Sequence, residues 1–219
     1  MAPLFPRKRE SSQDCSGSLP SRGRRRLLSM PETATGFPPV IDDAVETLIL
    51  GSFPGIASLG KAQYYGHPQN QFWRLVGAAI GEPLPEMDYE SRKRTLLTHR
   101  IGLWDVIGAC ARKGSLDADI RNPRHNDFVR VTGVAPNLRR IFFNGKTAGR
   151  FERQFADWGY DTAVLPSSSP AYTLRYEDKL EQWRQIASPR RPDKFISPRK
   201  RGPAHSASRL TPHASRQKC

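Results

Sequence analysis

The stretch Glu46–Gly51 (ETLILG) is a short, continuous apolar run that ends in glycine and is followed at once by Ser52–Gly55 (SFPG). Such runs are typical of strands that are buried on both faces, as in parallel sheets covered by helices. Three similar runs follow along the chain, at Gly102–Ile107, Arg140–Gly145 and Asp161–Ser167. The four runs therefore predict the strands of one mostly parallel sheet.

Helix-like segments lie between these runs. In the first of them, Phe72, Leu75, Val76 and Ala79 are spaced three and four residues apart, so that they share one helical face. The four predicted helices are Asn70–Ile80, Tyr89–His99, Lys146–Trp158 and Tyr176–Ile186. The alternation of strands and helices predicts a three-layer α/β/α sandwich with a central, mostly parallel four-stranded sheet.

The chain has 219 residues and a formal net charge of +14, and most of this charge lies at its two ends. Residues 1–36 carry a net charge of +4 and residues 188–219 carry +8, which leaves +2 for residues 37–187. The two ends are rich in Pro and Ser, so we interpret both as basic disordered tails around one domain, residues 37–187. Three interpretations of these ends stay open: arms that attract DNA phosphates, plain solvated tails, or, at the N-terminal end, a mis-assigned start with Met30 as the true one.

Several classes of protein are excluded by what the sequence lacks. Cys15, Cys110 and Cys219 are too few and too scattered for a disulfide framework or a zinc site. No apolar run is long enough to span a membrane, and no apolar segment follows the charged N-terminus. Neither GxGxxG nor GxxxxGK[ST] occurs. We expect a soluble, cytoplasmic protein, nucleoid-associated if bacterial, with no metal and no cofactor.

Small, aromatic and hydroxyl residues follow three of the predicted strands, at the sheet edge where α/β proteins bind ligands. Tyr64 and Tyr65 lie in the segment after the first strand, Asn144 ends the third, and Ser167–Ala171 follows the fourth. Aromatic rings stack on a base, an amide reads its edge and hydroxyls bind phosphates, so the set predicts a site for a nucleic-acid base. The structural alternatives stay open: core tyrosines, a turn at Asn144–Gly145, and a plain serine loop.

Four ordered motifs within residues 37–187 resemble the uracil-DNA glycosylase superfamily. They are Gly51–Gly55 (GSFPG), Tyr64–Trp73 (YYGHPQNQFW), Phe143–Lys146 (FNGK) and Pro166–Ala171 (PSSSPA). Within the superfamily they resemble most the hypoxanthine-DNA glycosylase, or deoxyinosine glycosylase, branch. The resemblance implies a monofunctional DNA N-glycosylase of base excision repair. Such an enzyme acts as a monomer on double-stranded or single-stranded DNA that contains a deaminated base.

One position departs from the other branches, which carry Asn or Asp where this chain has Phe53. A phenyl ring can neither hold nor activate a water. The hypoxanthine branch shares this substitution, and the resemblance implies that Asn70 is the catalytic residue instead. We expect Asn70 to hold the water through its side-chain oxygen, while the backbone fixes its NH₂ group. Tyr65 then stacks on the extruded base, Phe53 covers the other face, and Asn144 reads the base edge.

The remaining site residues follow from the same resemblance. Gly51, Ser52, Pro54 and Gly55 form the backbone of the pocket, and Ser167, Ser168, Ser169, Pro170 and Ala171 contact DNA. Asp105, directly after Trp104, is interpreted as structural. Two other functions stay open: a uracil or mismatch-specific glycosylase on the same scaffold, and a non-catalytic nucleic-acid-binding module, which Phe53 favours.

Overall fold

The computed structural model describes residues 33–112 and 114–187, which form seven strands and seven α-helices. The strands are β1 (Thr33–Thr35), β2 (Thr47–Gly51), β3 (Ile101–Asp105), β4 (Ile107–Arg112), β5 (Ile120–His125), β6 (Arg140–Asn144) and β7 (Asp161–Leu165). The helices are α1 (Ile56–Lys61), α2 (Phe72–Ile80), α3 (Tyr89–Thr98), α4 (Val129–Val134), α5 (Lys146–Gly149), α6 (Glu152–Asp157) and α7 (Tyr176–Trp183). Short 3₁₀ turns lie at Leu84–Glu86, Asp117–Asp119 and Arg184–Ile186. None of the helices in this part of the chain is long and apolar enough to cross a membrane.

The four predicted strands form one sheet in the order β3-β2-β6-β7, and each neighbouring pair is parallel. The central strand β2 contributes Leu48–Leu50, which is fully buried. Because the strands are in register, Gly51 pairs with Asp105 and Asn144 pairs with Leu165, so the strands end at one edge. The predicted fold class is confirmed.

Helices cover both faces of this sheet. On one face, the ring of Phe143 in β6 lies 5.6 Å from that of Phe155 in α6. Arg140, three residues earlier in the same strand, donates hydrogen bonds to the carbonyls of Gln185 and Ile186, which follow α7. Side chains at odd spacing along a strand point to opposite faces, so α6 and α7 lie on opposite sides.

The predicted helix Lys146–Trp158 is wrong in one respect, because it is divided into α5 and α6 by Arg150 and Phe151. The first half packs closely on the sheet at Gly149, where a Cβ would lie 2.8 Å from a methyl group of Val164 in β7. At the break, the Phe151 ring contacts that of His125 at 4.9 Å. Tertiary packing therefore overrides a continuous helical pattern here.

A second, antiparallel sheet with the order β1-β4-β5 was not predicted. Part of it comes from the predicted strand Gly102–Ile107, which is divided at Val106 between the end of β3 and the start of β4. Its outer strand β5 reads IRNPRH and is largely exposed, so it shows no apolar pattern. An edge strand tolerates Pro123, because its free side needs no hydrogen-bond donor.

The boundary of the N-terminal tail is corrected by β1. Residues 33–35, which the charge count assigned to a disordered tail ending at residue 36, pair with Ala109–Ala111 of β4. The ordered domain therefore includes Thr33. The rest of the two predicted tails, residues 1–32 and 188–219, lies outside the described residues.

Two helical glycines give a test of this packing. In α2, a Cβ at Gly77 would lie 2.6 Å from the backbone oxygen of Glu82, whereas at exposed Gly60 in α1 it would meet nothing within 4 Å. Alanine in an open helical position raises stability by about 0.5–1 kcal/mol. We therefore expect Gly60→Ala to raise the free energy of unfolding and Gly77→Ala to lower it by about 1–3 kcal/mol. Urea denaturation measures both, and an equal gain in the two variants would contradict the packing described.

Candidate active site

A cavity of about 400 Å³ opens at the carboxyl ends of the parallel strands. Its wall includes the last residues of β2, β3 and β6, and the loop that follows β7. All predicted site residues line it: Gly51, Ser52, Phe53, Pro54, Gly55, Tyr65, Asn70, Asn144, Ser167, Ser168, Ser169, Pro170 and Ala171. The structure thus brings residues from four separate motifs to one place, while their individual roles stay predictions.

The side-chain amide of Asn144 is hydrogen-bonded on every side. Its Nδ2 donates to Tyr65 Oη at 3.0 Å and to Ser168 Oγ at 2.9 Å, and its Oδ1 accepts from the Ser168 backbone N–H at 2.9 Å. The following Gly145 has φ 88°, a conformation that favours glycine, and forms the predicted turn. Both interpretations of Asn144 therefore have structural support. Its position in the cavity lining suits contact with a base edge, and the conformation of Gly145 suits a turn.

Tyr64 and Tyr65 both line the cavity, and the ring of Tyr65 packs on a second aromatic ring. The ring stacks on that of buried Phe72, with centroids 3.7 Å apart and planes at 10°. Burial raises the pKa of the Tyr65 phenol, so the hydroxyl stays protonated. Tyr64 is more deeply buried, and its hydroxyl donates to the backbone oxygens of Phe37 and Pro38 at 3.3 and 3.2 Å. The core interpretation thus suits Tyr64, and the stacking interpretation suits Tyr65.

The connection between β4 and β5 holds the loop that contains Phe53. Arg112, at the end of β4, lies 5.2 Å from the centroid of the Phe53 ring and donates to the Pro54 backbone oxygen. Ser52 Oγ donates to Asp117 Oδ1 at 2.8 Å. The Ser115 hydroxyl accepts the backbone N–H of Ile56 at 3.0 Å. This connection forms a wall of the cavity that the sequence did not predict.

Asn70 lies just before α2, and its amide is oriented opposite to the prediction. Its Oδ1 accepts the backbone N–H of Phe72 at 2.9 Å, so the backbone fixes the oxygen and not the NH₂ group. The orientation is set by the helix, whose first N–H groups have no partners within the helix itself. The NH₂ group and the second lone pair of Oδ1 remain for a water in the cavity.

The serine loop, Ser167–Ala171 after β7, is held in place by hydrogen bonds of a buried lysine. Lys179 of α7 donates to Gln71 Oε1 at 2.8 Å and to the backbone oxygen of Tyr172 at 2.7 Å. The backbone N–H of Gln71 also donates to the Ser168 backbone oxygen at 3.0 Å. These contacts couple the loop that carries Ser167–Ala171 to the start of α2, next to Asn70.

Asp105 is a cavity residue that the sequence interpretation assigned only to the structure. It ends β3, its side chain is 4% exposed, and its Oδ2 has no hydrogen-bond partner among the described residues. A Cβ on the neighbouring Gly51 would overlap Asp105 Oδ1 and lie 2.8 Å from Tyr65 Oη. Asp105 could have been identified from the sequence by applying to β3 the rule that ligands bind at the carboxyl ends of parallel strands.

Burial raises the pKa of the Asp105 carboxyl to about 8, because a carboxylate loses its hydration there. The negative charge of Asp117 raises this pKa further, and the positive charge of Arg112 lowers it. The nearest acidic partner of Arg112 is Asp117, at 4.0 Å, and the guanidinium is turned toward the Phe53 loop. At neutral pH the Asp105 carboxyl is therefore mainly protonated.

The four motifs, the cavity and the parallel sheet are arranged as in one known family. The family model described as the uracil DNA glycosylase superfamily matches residues 38–188. The chain belongs to this superfamily. The match covers the domain delimited by charge and composition, and it leaves out both basic ends.

Two curated relatives and one solved structure in this superfamily are similar to the chain. A "Hypoxanthine DNA glycosylase" of Methanosarcina acetivorans is 48% identical over 151 residues, which are 69% of this chain and 96% of the relative. A protein of the same name from Methanosarcina barkeri is 46% identical over 148 residues, 68% of this chain and 94% of the relative. The solution NMR structure of a proposed uracil DNA glycosylase from M. acetivorans has 47% identity and a TM-score of 0.66. That alignment covers 71% of this chain and 97% of that one.

The protonated state of Asp105 gives a prediction on stability. The ordinary pKa of 3.8 applies to the unfolded chain, so between about pH 4 and pH 8 only the folded protein keeps this proton. The resulting stabilisation is complete below pH 4 and is lost as the pH rises through 8. The side chain of Asp105→Asn is always neutral, so the stability of this variant does not depend on that proton. We expect the difference in free energy of unfolding, variant minus wild type, to be a few kcal/mol larger at pH 8.5 than at pH 4.5, because one pKa unit corresponds to about 1.4 kcal/mol.

Urea denaturation at the two pH values measures this difference. Asp157→Asn, at an exposed position of α6, serves as the control and leaves the pH dependence unchanged. A pH dependence that is the same in wild type and Asp105→Asn would contradict a protonated Asp105 in the folded protein.

Proposed function

We propose that this protein is a deoxyinosine glycosylase: it extrudes the damaged nucleotide from DNA, hydrolyses its N-glycosidic bond, releases hypoxanthine and leaves an abasic site. The observation that carries the proposal is that all four motifs meet around one cavity. The two relatives, which are 48% and 46% identical over 69% and 68% of this chain, are named hypoxanthine DNA glycosylases. An enzyme of this class is a monofunctional hydrolase of base excision repair, which argues against a non-catalytic binding module.

The cavity has the shape and lining that a flat base requires. Its volume of about 400 Å³ lies within the range of about 300–1,000 Å³ that is usual for small-molecule sites. Tyr65 stacks on the base with one face, because Phe72 occupies the other. Phe53 covers the opposite side of the base. Asn144 reads the base edge. To do so, its amide must replace part of its hydrogen bonds to Tyr65 and Ser168 with hydrogen bonds to the base.

Asn70 positions the water that attacks the sugar. Breaking the glycosidic bond builds positive charge on the sugar, and an amide with a fixed oxygen can hold a water behind the anomeric carbon. An amide cannot deprotonate this water as a carboxylate could, so turnover is modest. The rate enhancement then depends on fixed dipoles and orientation, which are the main sources of catalysis in such sites.

The DNA is bound through the loop Ser167–Ala171 and through phosphate contacts. Serine hydroxyls and backbone N–H groups bind the phosphates on each side of the extruded nucleotide, while Pro170 and Ala171 are small enough to enter the minor groove. Extrusion costs least where the base is mispaired, and deaminated bases mispair. We propose that the enzyme acts as a monomer on double-stranded or single-stranded DNA, in the cytoplasm or at the nucleoid.

The proposed function is tested with oligonucleotides that carry one deoxyinosine, deoxyuridine or deoxyxanthosine, in single-stranded and duplex form. We expect alkali-labile abasic sites to form fastest from deoxyinosine, with undamaged DNA as the control. Faster release of uracil would favour the mismatch-specific alternative. If the protein binds the oligonucleotides but releases no base from any of them, the proposed glycosylase activity is contradicted.

The role of Asn70 is separated from capping by two substitutions. Asn70→Ala removes the acceptor for the Phe72 N–H, so we expect a loss of about 1 kcal/mol in stability and of about 10²-fold or more in rate. Asn70→Asp keeps this acceptor, so its stability stays near the wild type, while its deoxyinosine cleavage rate changes by about tenfold or more.

Single-turnover kinetics and thermal denaturation measure both effects. Gln69→Ala, at an exposed neighbouring position outside the cavity lining, is the matched control. If both Asn70 variants cleave at the wild-type rate, Asn70 is a capping residue only.

A further inference from the structure

The departing base gains from a proton donor, a role that none of the residues with a proposed catalytic or base-binding function fills. As the C1′–N9 bond breaks, its electron pair leaves with the purine, and the negative charge spreads over the ring nitrogens and O6. Asn70 acts on the water and Tyr65 on the ring face, so neither provides a proton to the base. His67 also lines the cavity, but it is exposed, and its Nδ1 accepts the Gln69 backbone N–H at 3.2 Å.

We propose that Asp105 is a second catalytic residue, whose protonated carboxyl donates its proton to the departing hypoxanthine. The proposal rests on the glycosylase function proposed above. It begins from geometry: Asp105 lines the cavity, is almost completely buried, and has a carboxyl oxygen without a hydrogen-bond partner among the described residues. A buried polar group without a partner is costly, and a purine acceptor in the cavity would provide the missing partner.

The position of Asp105 in the cavity depends on the adjacent strand. Gly51 pairs with Asp105 across β2 and β3, and its missing side chain leaves room for Asp105 Oδ1 beside Tyr65 Oη. The carboxyl therefore lies at the edge of the sheet, next to the ring on which the base stacks. A base stacked on Tyr65 presents its O6 and N7 acceptors around its rim, where an acid at this position can reach them.

The groups that surround Asp105 keep its proton in place. Tyr64, Tyr65 and Tyr89 interact with it electrostatically and are neutral, because burial raises the pKa of each phenol. Asp117 raises the pKa of Asp105, which reaches about 8, and Arg112 lowers it. No ion pair joins Arg112 to Asp105 in the described part of the chain, and the guanidinium is directed to Pro54 and Phe53.

The reaction is balanced with water as the other reactant. The C1′–N9 bond breaks and its electron pair goes to the base, while the Asp105 O–H proton moves to a purine acceptor. The water held by Asn70 forms the new C1′–O bond. The proton that this water loses returns through solvent to the Asp105 carboxylate, so that hypoxanthine leaves neutral and the enzyme is restored.

This mechanism requires an alkaline limb in the pH–rate profile. An acid is active only below its pKa, so we expect the single-turnover rate on deoxyinosine DNA to be constant near pH 7 and to fall above about pH 8. Asp105→Asn keeps the size and neutrality of the side chain but has no carboxyl proton. We expect its rate at pH 7 to fall by about 10²-fold or more, with this alkaline limb absent.

Asp117→Asn distinguishes the acid from a structural effect. Removing the negative charge of Asp117 lowers the pKa of Asp105, so the limb moves to lower pH and is not abolished. Circular dichroism and thermal denaturation check that each variant is folded, and Asp105→Asn is expected to be more stable than the wild type at pH 8.5. The N1–H of the substrate also titrates in alkali, and this effect is common to all variants. Only the part of the alkaline limb that Asp105→Asn lacks is therefore assigned to Asp105.

The outcomes separate this inference from the proposed function. If the wild type releases hypoxanthine but Asp105→Asn keeps the same rate or the same alkaline limb, Asp105 is not the acid and the glycosylase function stands. A limb that does not move in Asp117→Asn also overturns the role of Asp105. If the wild type releases no hypoxanthine at any pH, both proposals fall.

Discussion

The hydrogen bonds of one amide, that of Asn144, determine how the loops of this protein meet. They join Tyr65, 79 residues earlier, and Ser168, 24 residues later, at the end of the central sheet. Each loop is attached to a different strand, so the amide converts three neighbouring strand ends into one cavity. Because both of its N–H groups and its oxygen take part, a shift of any loop leaves a polar group without a partner.

The parallel sheet could be predicted because its strands are buried on both faces. Burial requires continuous apolar runs such as Leu48–Leu50, and these runs are visible in the sequence without knowledge of the fold. The position of the site followed from the same fact, since the carboxyl ends of parallel strands lie at one edge. The side chains that follow these strands then identify most of the cavity wall.

What could not be predicted depends on contacts between distant segments. The outer strand β5 is polar and exposed, so its pairing with β4 leaves no apolar pattern in the sequence. The orientation of the Asn70 amide is determined by the backbone N–H of Phe72 and is invisible in a residue name. Asp105 lies inside the predicted strand Gly102–Ile107, and only its burial beside Gly51 shows that its charge is disfavoured.

The wall formed by the β4–β5 connection has a consequence for how such an enzyme can diverge. This wall is attached to the Phe53 loop by side-chain contacts of Ser115, Asp117 and Arg112, and none of the four parallel strands belongs to it. A change in the length or composition of this connection therefore reshapes the cavity without moving the sheet. Part of the shape of the cavity is thus encoded in a segment separate from the central sheet, so this part can change in evolution while the sheet is kept.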